Sequence, residues 1–138
     1  MVWEYFYAKL QLQHTADFRG VLHIPEEYRA EPASMEHVGI AVGYAGFIGK
    51  TCCMHTVITR PDLVSPRIVR DTFAYPFITC GLECVLALVE STNGPALKFD
   101  KKLGFREVHR IPHGGMDDDL VVLEMLRADC RWLSKATH

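Results

Sequence analysis

The stretch Asn93-Gly94-Pro95-Ala96-Leu97-Lys98-Phe99-Asp100-Lys101-Lys102-Leu103-Gly104-Phe105 decides how this chain reads. It follows an apolar run, Cys84 to Glu90, and a short polar break at Ser91 and Thr92. Pro95 fits the first turn of a helix, where a missing N–H costs nothing. Leu97, Lys101 and the pair Phe99 and Leu103 recur at four-residue spacing, which gives an apolar face and a lysine-rich one. Gly104 stands where a helix needs a left-handed stop, and Phe105 opens a new strand. The unit is strand, helix, strand, with an asparagine at the helix start.

Outward from it, the chain divides cleanly. The run Cys84–Glu90 is nearly continuous in apolar residues, as for a strand buried on both faces. Before it, Ser65-Pro66 caps and opens a helix whose apolar positions are Ile68, Val69, Phe73 and Phe77. Pro76 should interrupt that helix and Gly81 end it. Val38, Ile40, Val42 and Tyr44 alternate as a strand. Ala45–Lys50 reads as a hairpin turn, and Cys52–Thr59 as the antiparallel partner. After Phe105 the strand runs to about Ile111. The Gly114-Gly115 pair and Asp117, Asp118 and Asp119 mark an exposed turn. Leu120–Leu126 is a last strand, and Arg127–Leu133 a short terminal helix. Residues 1–31 are the least legible. The cluster Trp3, Tyr5, Phe6 and Tyr7 suits a strand or a helix reaching Leu12, used for packing or as an interface, with an aromatic recognition surface as the third option. Pro25 and Pro32 bracket a loop, Glu26–Glu36.

A length of 138 residues suits one domain, 1–138, with a single core. Hydrophobic content of 49% against 23% charged argues for a globular chain. A formal charge of −2 supplies no basic field for nucleic acid. No apolar run approaches the roughly 18 to 20 residues of a membrane span, and the amino terminus does not read as a signal peptide. The five cysteines follow no disulfide spacing, which points to buried thiols in a reducing cytoplasm. Cys52 and Cys53 are adjacent and would face opposite sides of a strand, so no metal site is expected there. The three consecutive aspartates likewise read as a solvated turn.

The order strand pair, helix, strand, helix, strand pair, with Asn93, Ala96 and Leu103-Gly104-Phe105, resembles the carboxy-terminal half of the GCN5-related N-acetyltransferases (GNATs). The resemblance spans roughly residues 37–133. Small, divergent members, some encoded by bacteriophages, share three further features: Pro66, Tyr75-Pro76-Phe77 and the tail Arg131-Trp132-Leu133. It implies an α/β (α+β) fold, a mixed, mostly antiparallel sheet with helices on both faces. It also implies acetyl-coenzyme A as co-substrate, without a metal.

On that resemblance the coenzyme's arm runs beside the strand at Met54, Thr56 and Val57, where this strand and Cys84–Glu90 splay apart and a backbone N–H faces the thioester oxygen. Asn93, Ala96 and Phe99 lie on the arm's other side; for Asn93 a plain helix cap serves equally. The pyrophosphate falls to the helix start at Ser65, Pro66, Arg67 and Arg70. Many members carry Gln/Arg-x-x-Gly-x-Gly/Ala there, whereas Val64–Arg70 holds no glycine. His55 is the candidate base, since its ordinary pKa lies near working pH, and Glu90 the second. A hydrogen-bonded core histidine is the plainer reading of His55. The position seven after Asn93, often a tyrosine serving the leaving thiolate, is Asp100. An ionised Asp100 cannot donate that proton, and pairing with a surface lysine suits it.

The function implied is acetyl transfer to a primary amine by direct attack in a ternary complex, in the cytoplasm, or the host cytoplasm for a phage protein. The acceptor is a small molecule or a protein amine, with no nucleic acid or membrane partner. Oligomeric state is open, a dimer included. The alternative is a scaffold that has lost the reaction and binds a host enzyme as a phage modulator.

Overall fold

The computed structural model describes residues 2–10, 16–28 and 35–133. The side chain of Trp3, the helix end expected at Leu12 and the loop position Pro32 lie outside the described residues. The elements are α1 (Val2–Leu10), β1 (Arg19–His23), β2 (Ile40–Ile48), β3 (Thr51–Ile58), α2 (Pro66–Ala74), β4 (Cys84–Glu90), α3 (Gly94–Leu103), β5 (Arg106–Ile111) and β6 (Leu120–Leu126). They form one six-stranded sheet in the order β1-β2-β3-β4-β6-β5. Every pairing is antiparallel except β3 with β4.

Helices cover both faces. Ile40, Val42 and Tyr44 of β2 join Met54 of β3, Val85 and Ala87 of β4 and Leu123 of β6 in the main core, under Val69 and Phe73 of α2 and Leu97 and Leu103 of α3. Ala41 lies on the opposite face with Tyr5 and Phe6 of α1, both fully buried. Gly43 shares that second face, and a Cβ there would stand 3.0 Å from the rings of both Phe6 and Phe18. Tyr5 and Phe6 of the aromatic cluster are therefore helical core, while Tyr7 is exposed. The Tyr5 and Phe6 rings meet edge to face at 6.1 Å, and Phe6 meets Phe18 at 5.3 Å.

Several boundaries differ from the sequence reading. β1 was hidden in residues 1–31, where Arg19–His23 holds only two apolar residues and a glycine. β2 does not turn at Ala45. A bulge between Ala45 and Ile48, with Gly46 at φ 64°, carries the strand on to Ile48. β4 is not buried on both faces: Val85 and Ala87 are covered, while Leu88 is 37% exposed because α1 reaches only the β1–β3 half. The expected terminal helix reduces to one 3-10 turn, Arg127–Asp129. The cysteines are free, and Cys80 is exposed rather than buried. Pro76 does interrupt its helix. Lacking an N–H, it sits in a π turn, Tyr75–Thr79, that closes through Cys80 N–H to Tyr75 C=O at 2.9 Å.

The terminal segment has a specific task. The Arg131 guanidinium donates to the Leu103 carbonyl at 3.0 Å and to that of Lys102, and the Trp132 indole N–H donates to Leu103 at 2.7 Å. These groups satisfy carbonyls that the end of α3 leaves open, and the cation complements the helix dipole.

Candidate active site in the parting of two strands

β3 and β4 pair only over Thr51–Cys53 and Cys84–Leu86. Beyond that they separate, although β3 stays paired with β2 as far as Ile58 and β4 with β6 as far as Glu90. Main-chain direction alternates along a strand. The Thr59 N–H donates to the Gly39 carbonyl on the β2 side at 2.9 Å, and the Cys84 N–H reaches the Lys50 carbonyl from the β4 side at 3.1 Å. Even-numbered β3 residues therefore turn their backbone groups toward β4. The register leaves the Met54 carbonyl and both groups of Thr56 unmatched by β4. A wedge-shaped gap lined by free amide and carbonyl groups is the feature from which a site can be built.

On the core side of the gap, Met54, Thr56, Ile68, Phe73, Phe99 and Leu103 surround a cavity of about 30 Å³, room for a water or two. Thus Met54, Thr56 and Phe99 line one cavity. Ile68, Phe73 and Leu103 complete the wall, and only their apolar periodicity hinted at it. The Val57 side chain points to the other face, against the α1 cluster, and its backbone groups, at an odd position, turn toward β2 opposite Ala41 rather than into the gap, so Val57 does not line the gap as the resemblance implied.

At the start of α2, the Ser65 hydroxyl accepts from the Ile68 N–H at 3.2 Å, and the Val69 N–H goes to the Ser65 carbonyl at 3.0 Å. Pro66 has no N–H, which leaves the Arg67 amide open at this terminus. Arg67 is exposed and makes no ion pair among the described residues. Arg70 lies 3.7 Å from Asp71. Asn93 caps α3, its side-chain oxygen accepting from Ala96 N–H at 3.2 Å, while its amide nitrogen has no partner among the described residues.

His55 and Glu90 lie on the α1 face of the sheet. His55 stands opposite Gly43, and desolvation pushes its pKa below the ordinary histidine value, so the ring is neutral at neutral pH. No hydrogen bond is made by the ring among the described residues. Glu90 ends β4 beneath the β5–β6 loop, where one carboxylate oxygen accepts the Met116 N–H. Among the described residues Asp100 pairs with no lysine. It occupies the sheet-facing stripe of α3 with Ala96 and Leu103, half-buried, with no ion pair among the described residues. Desolvation pushes its pKa up to about 6. Among the described residues no group of three or more His, Cys, Asp or Glu gathers as a metal site would require.

The architecture matches solved acetyltransferases. A variant of the spermidine N-acetyltransferase SpeG from Vibrio cholerae superimposes with a TM-score of 0.68 at 14% identity, over 97% of this chain and 78% of that one. The chain has the GNAT fold. A GNAT-family acetyltransferase from Bacillus anthracis follows at 0.54 and 19% identity, over 66% of this chain and 60% of that one. The ribosomal-protein-S5-alanine acetyltransferase from Vibrio fischeri gives 0.56 and 17%, over 70% and 58%. No family model matches the sequence, and no curated protein matches it. The GNAT likeness is therefore one of backbone, and it covers β1 as well as the half of the chain in which the motif lies.

Proposed function

We propose that the protein transfers an acetyl group from acetyl-coenzyme A to a primary amine by direct attack in a ternary complex, in the cytoplasm. The observation that carries this is the parting of β3 from β4, which leaves the Met54 carbonyl and the Thr56 N–H unmatched. An extended chain bearing two amides fits such an edge as an added strand would. The coenzyme would supply an activated thioester carbonyl. The Thr56 N–H would donate to its oxygen. Asn93, Ala96 and Phe99 would hold the arm from α3. Phe99 must turn aside to admit it, since the cavity takes only a water or two.

The phosphate end fits less well. Ser65 and Pro66 remove the amides a helix start would offer, which leaves the Arg67 N–H and the Arg67 and Arg70 guanidiniums as the anion contacts. For the chemistry, neutral His55 is the base and Glu90 the second candidate. Asp100, with a pKa of about 6, is partly protonated at neutral pH and can return a proton to the departing thiolate. The acceptor is a small amine or a protein amine; the spermidine acetyltransferases of the same fold make polyamines the first to test.

The thin phosphate contacts favour a second reading, a GNAT-fold binding protein without turnover, such as a phage modulator of a host enzyme. Calorimetric titration of acetyl-coenzyme A, with coenzyme A as comparison, separates the two. Micromolar binding, lost on a bulky substitution at Asn93, followed by amine-dependent thiol release that drops at least tenfold in His55→Ala, is the expected result. Absence of binding at millimolar ligand would sink the transferase and leave the binding protein.

A further inference from the structure

Glu90 is held in an unusual way for a surface carboxylate at a strand end. One oxygen accepts the Met116 N–H from the β5–β6 loop, and the other is buried with no partner among the described residues. Gly115 lies against the same carboxylate, so that a Cβ at this position would overlap both oxygens and the carbon between them. The Ser91 N–H donates to the Asp119 carbonyl at 2.9 Å, which ties the loop's far end to the residue after Glu90. Inside the loop, Gly115 N–H goes to Asp118 C=O at 2.9 Å, and His113 N–H to the Asp119 carboxylate at 3.1 Å. The loop is thus a compact unit that clasps one side chain of β4.

We infer that Glu90 is a latch that positions the loop Pro112–Asp119 beside the strand gap, and that it acts on the acceptor amine through that loop rather than as the base. This rests on the transferase reading above. Two physical points carry it. A carboxylate that accepts a backbone N–H and is roofed by a glycine has little room to reach a substrate proton, whereas the same contact orders the loop strongly. The loop also ends next to β4, at the open end of the gap, and presents Met116 (82% exposed) and the exposed Asp117 and Asp118 to solvent. A wall of this kind, fixed from beneath and carrying two carboxylates and a methionine outward, governs how an amine is oriented, so its loss raises KM for the amine more than it lowers kcat.

The test compares Glu90→Gln, Glu90→Ala and Gly115→Ala in the intact protein. Amide exchange at Met116 is read first, because it reports the clasp whether or not the protein turns over. Glu90→Gln keeps an oxygen for the Met116 N–H and should keep protection within a fewfold. Glu90→Ala and Gly115→Ala should each speed exchange by about tenfold or more. In acetyl transfer, the two disruptive variants should raise the amine KM by about tenfold, with the KM for acetyl-coenzyme A unchanged. A Glu90→Gln variant with full Met116 protection but a collapsed kcat and a lost acidic limb in its pH profile would overturn the latch in favour of a base. Unchanged exchange in Gly115→Ala would also overturn it. A wild-type protein with protected Met116 but no transfer would refute the transferase reading and leave the clasp standing.

Discussion

Asp100 shows how one side chain sets a pH dependence. Its sheet-facing place on α3 removes water without supplying a cation, so the charged form is disfavoured. The folded pKa of about 6 stands above the ordinary 3.8. A raised carboxyl binds its proton more tightly when folded, so its contribution is fully present below pH 3.8 and lost as pH rises through about 6. Asp100→Asn should therefore match the wild type near pH 3.5 and exceed it by about 1–3 kcal/mol at pH 7.5, after allowance for partial exposure. Urea midpoints across that range check it, and equal midpoints at pH 7.5 would refute the desolvation argument. The sequence placed Asp100 on a helix correctly but sent it to the surface. Its charge suggested pairing with a surface lysine, whereas it falls among the half-buried positions of α3 with Ala96, Leu97, Phe99 and Leu103.

The end of α3 is a device of two separate segments. Gly104 stops the helix at φ 117°, and a Cβ there would meet the Arg131 guanidinium and the Met125 methyl, both at 3.1 Å. Gly104→Ala should cost about 1–3 kcal/mol through backbone strain. Arg131→Ala should cost about 1–2 kcal/mol by uncapping the carbonyls of Lys102 and Leu103. The two groups touch, so the double variant should lose less than the sum, readable in a double-mutant cycle of thermal midpoints. Additive losses would mean that the two act independently. The glycine stop was legible because it is a local demand of chain direction. The role of Arg131-Trp132-Leu133 was not, since its partners lie 28 or 29 residues away.

At the scale of the whole molecule, the sheet is two antiparallel halves joined by a short parallel ladder, with α2 and α3 packed across the join. A ligand lying in the gap touches both halves, and one that binds only the folded state stabilises by mass action. Acetyl-coenzyme A at about a hundred times its Kd should raise the unfolding free energy by about 2.7 kcal/mol. The midpoint should move on the order of 5–10 °C. Exchange protection should increase at the separated ends of β3 and β4 more than in β5. Protection confined to the surface of α3 would place the ligand outside the gap.

The sequence by itself determined the local pieces. Periodicity, the Ser65-Pro66 and Asn93 caps, the Gly104 stop and the Pro76 interruption each act over a few residues, so they could be read without knowing the fold. From them the order of elements from Ile40 to Leu126 followed, and with it the resemblance that named the fold. The parting of β3 and β4 was expected only from the resemblance, since no residue type marks the end of a parallel pairing, and the tertiary structure fixed it after Cys53 and Leu86. It alone decided which face each strand buries, that Asp100 loses its water, and that Glu90 lies under Gly115. Those properties belong to groups far apart in the chain, and desolvation and close packing arise only once the fold has brought them together.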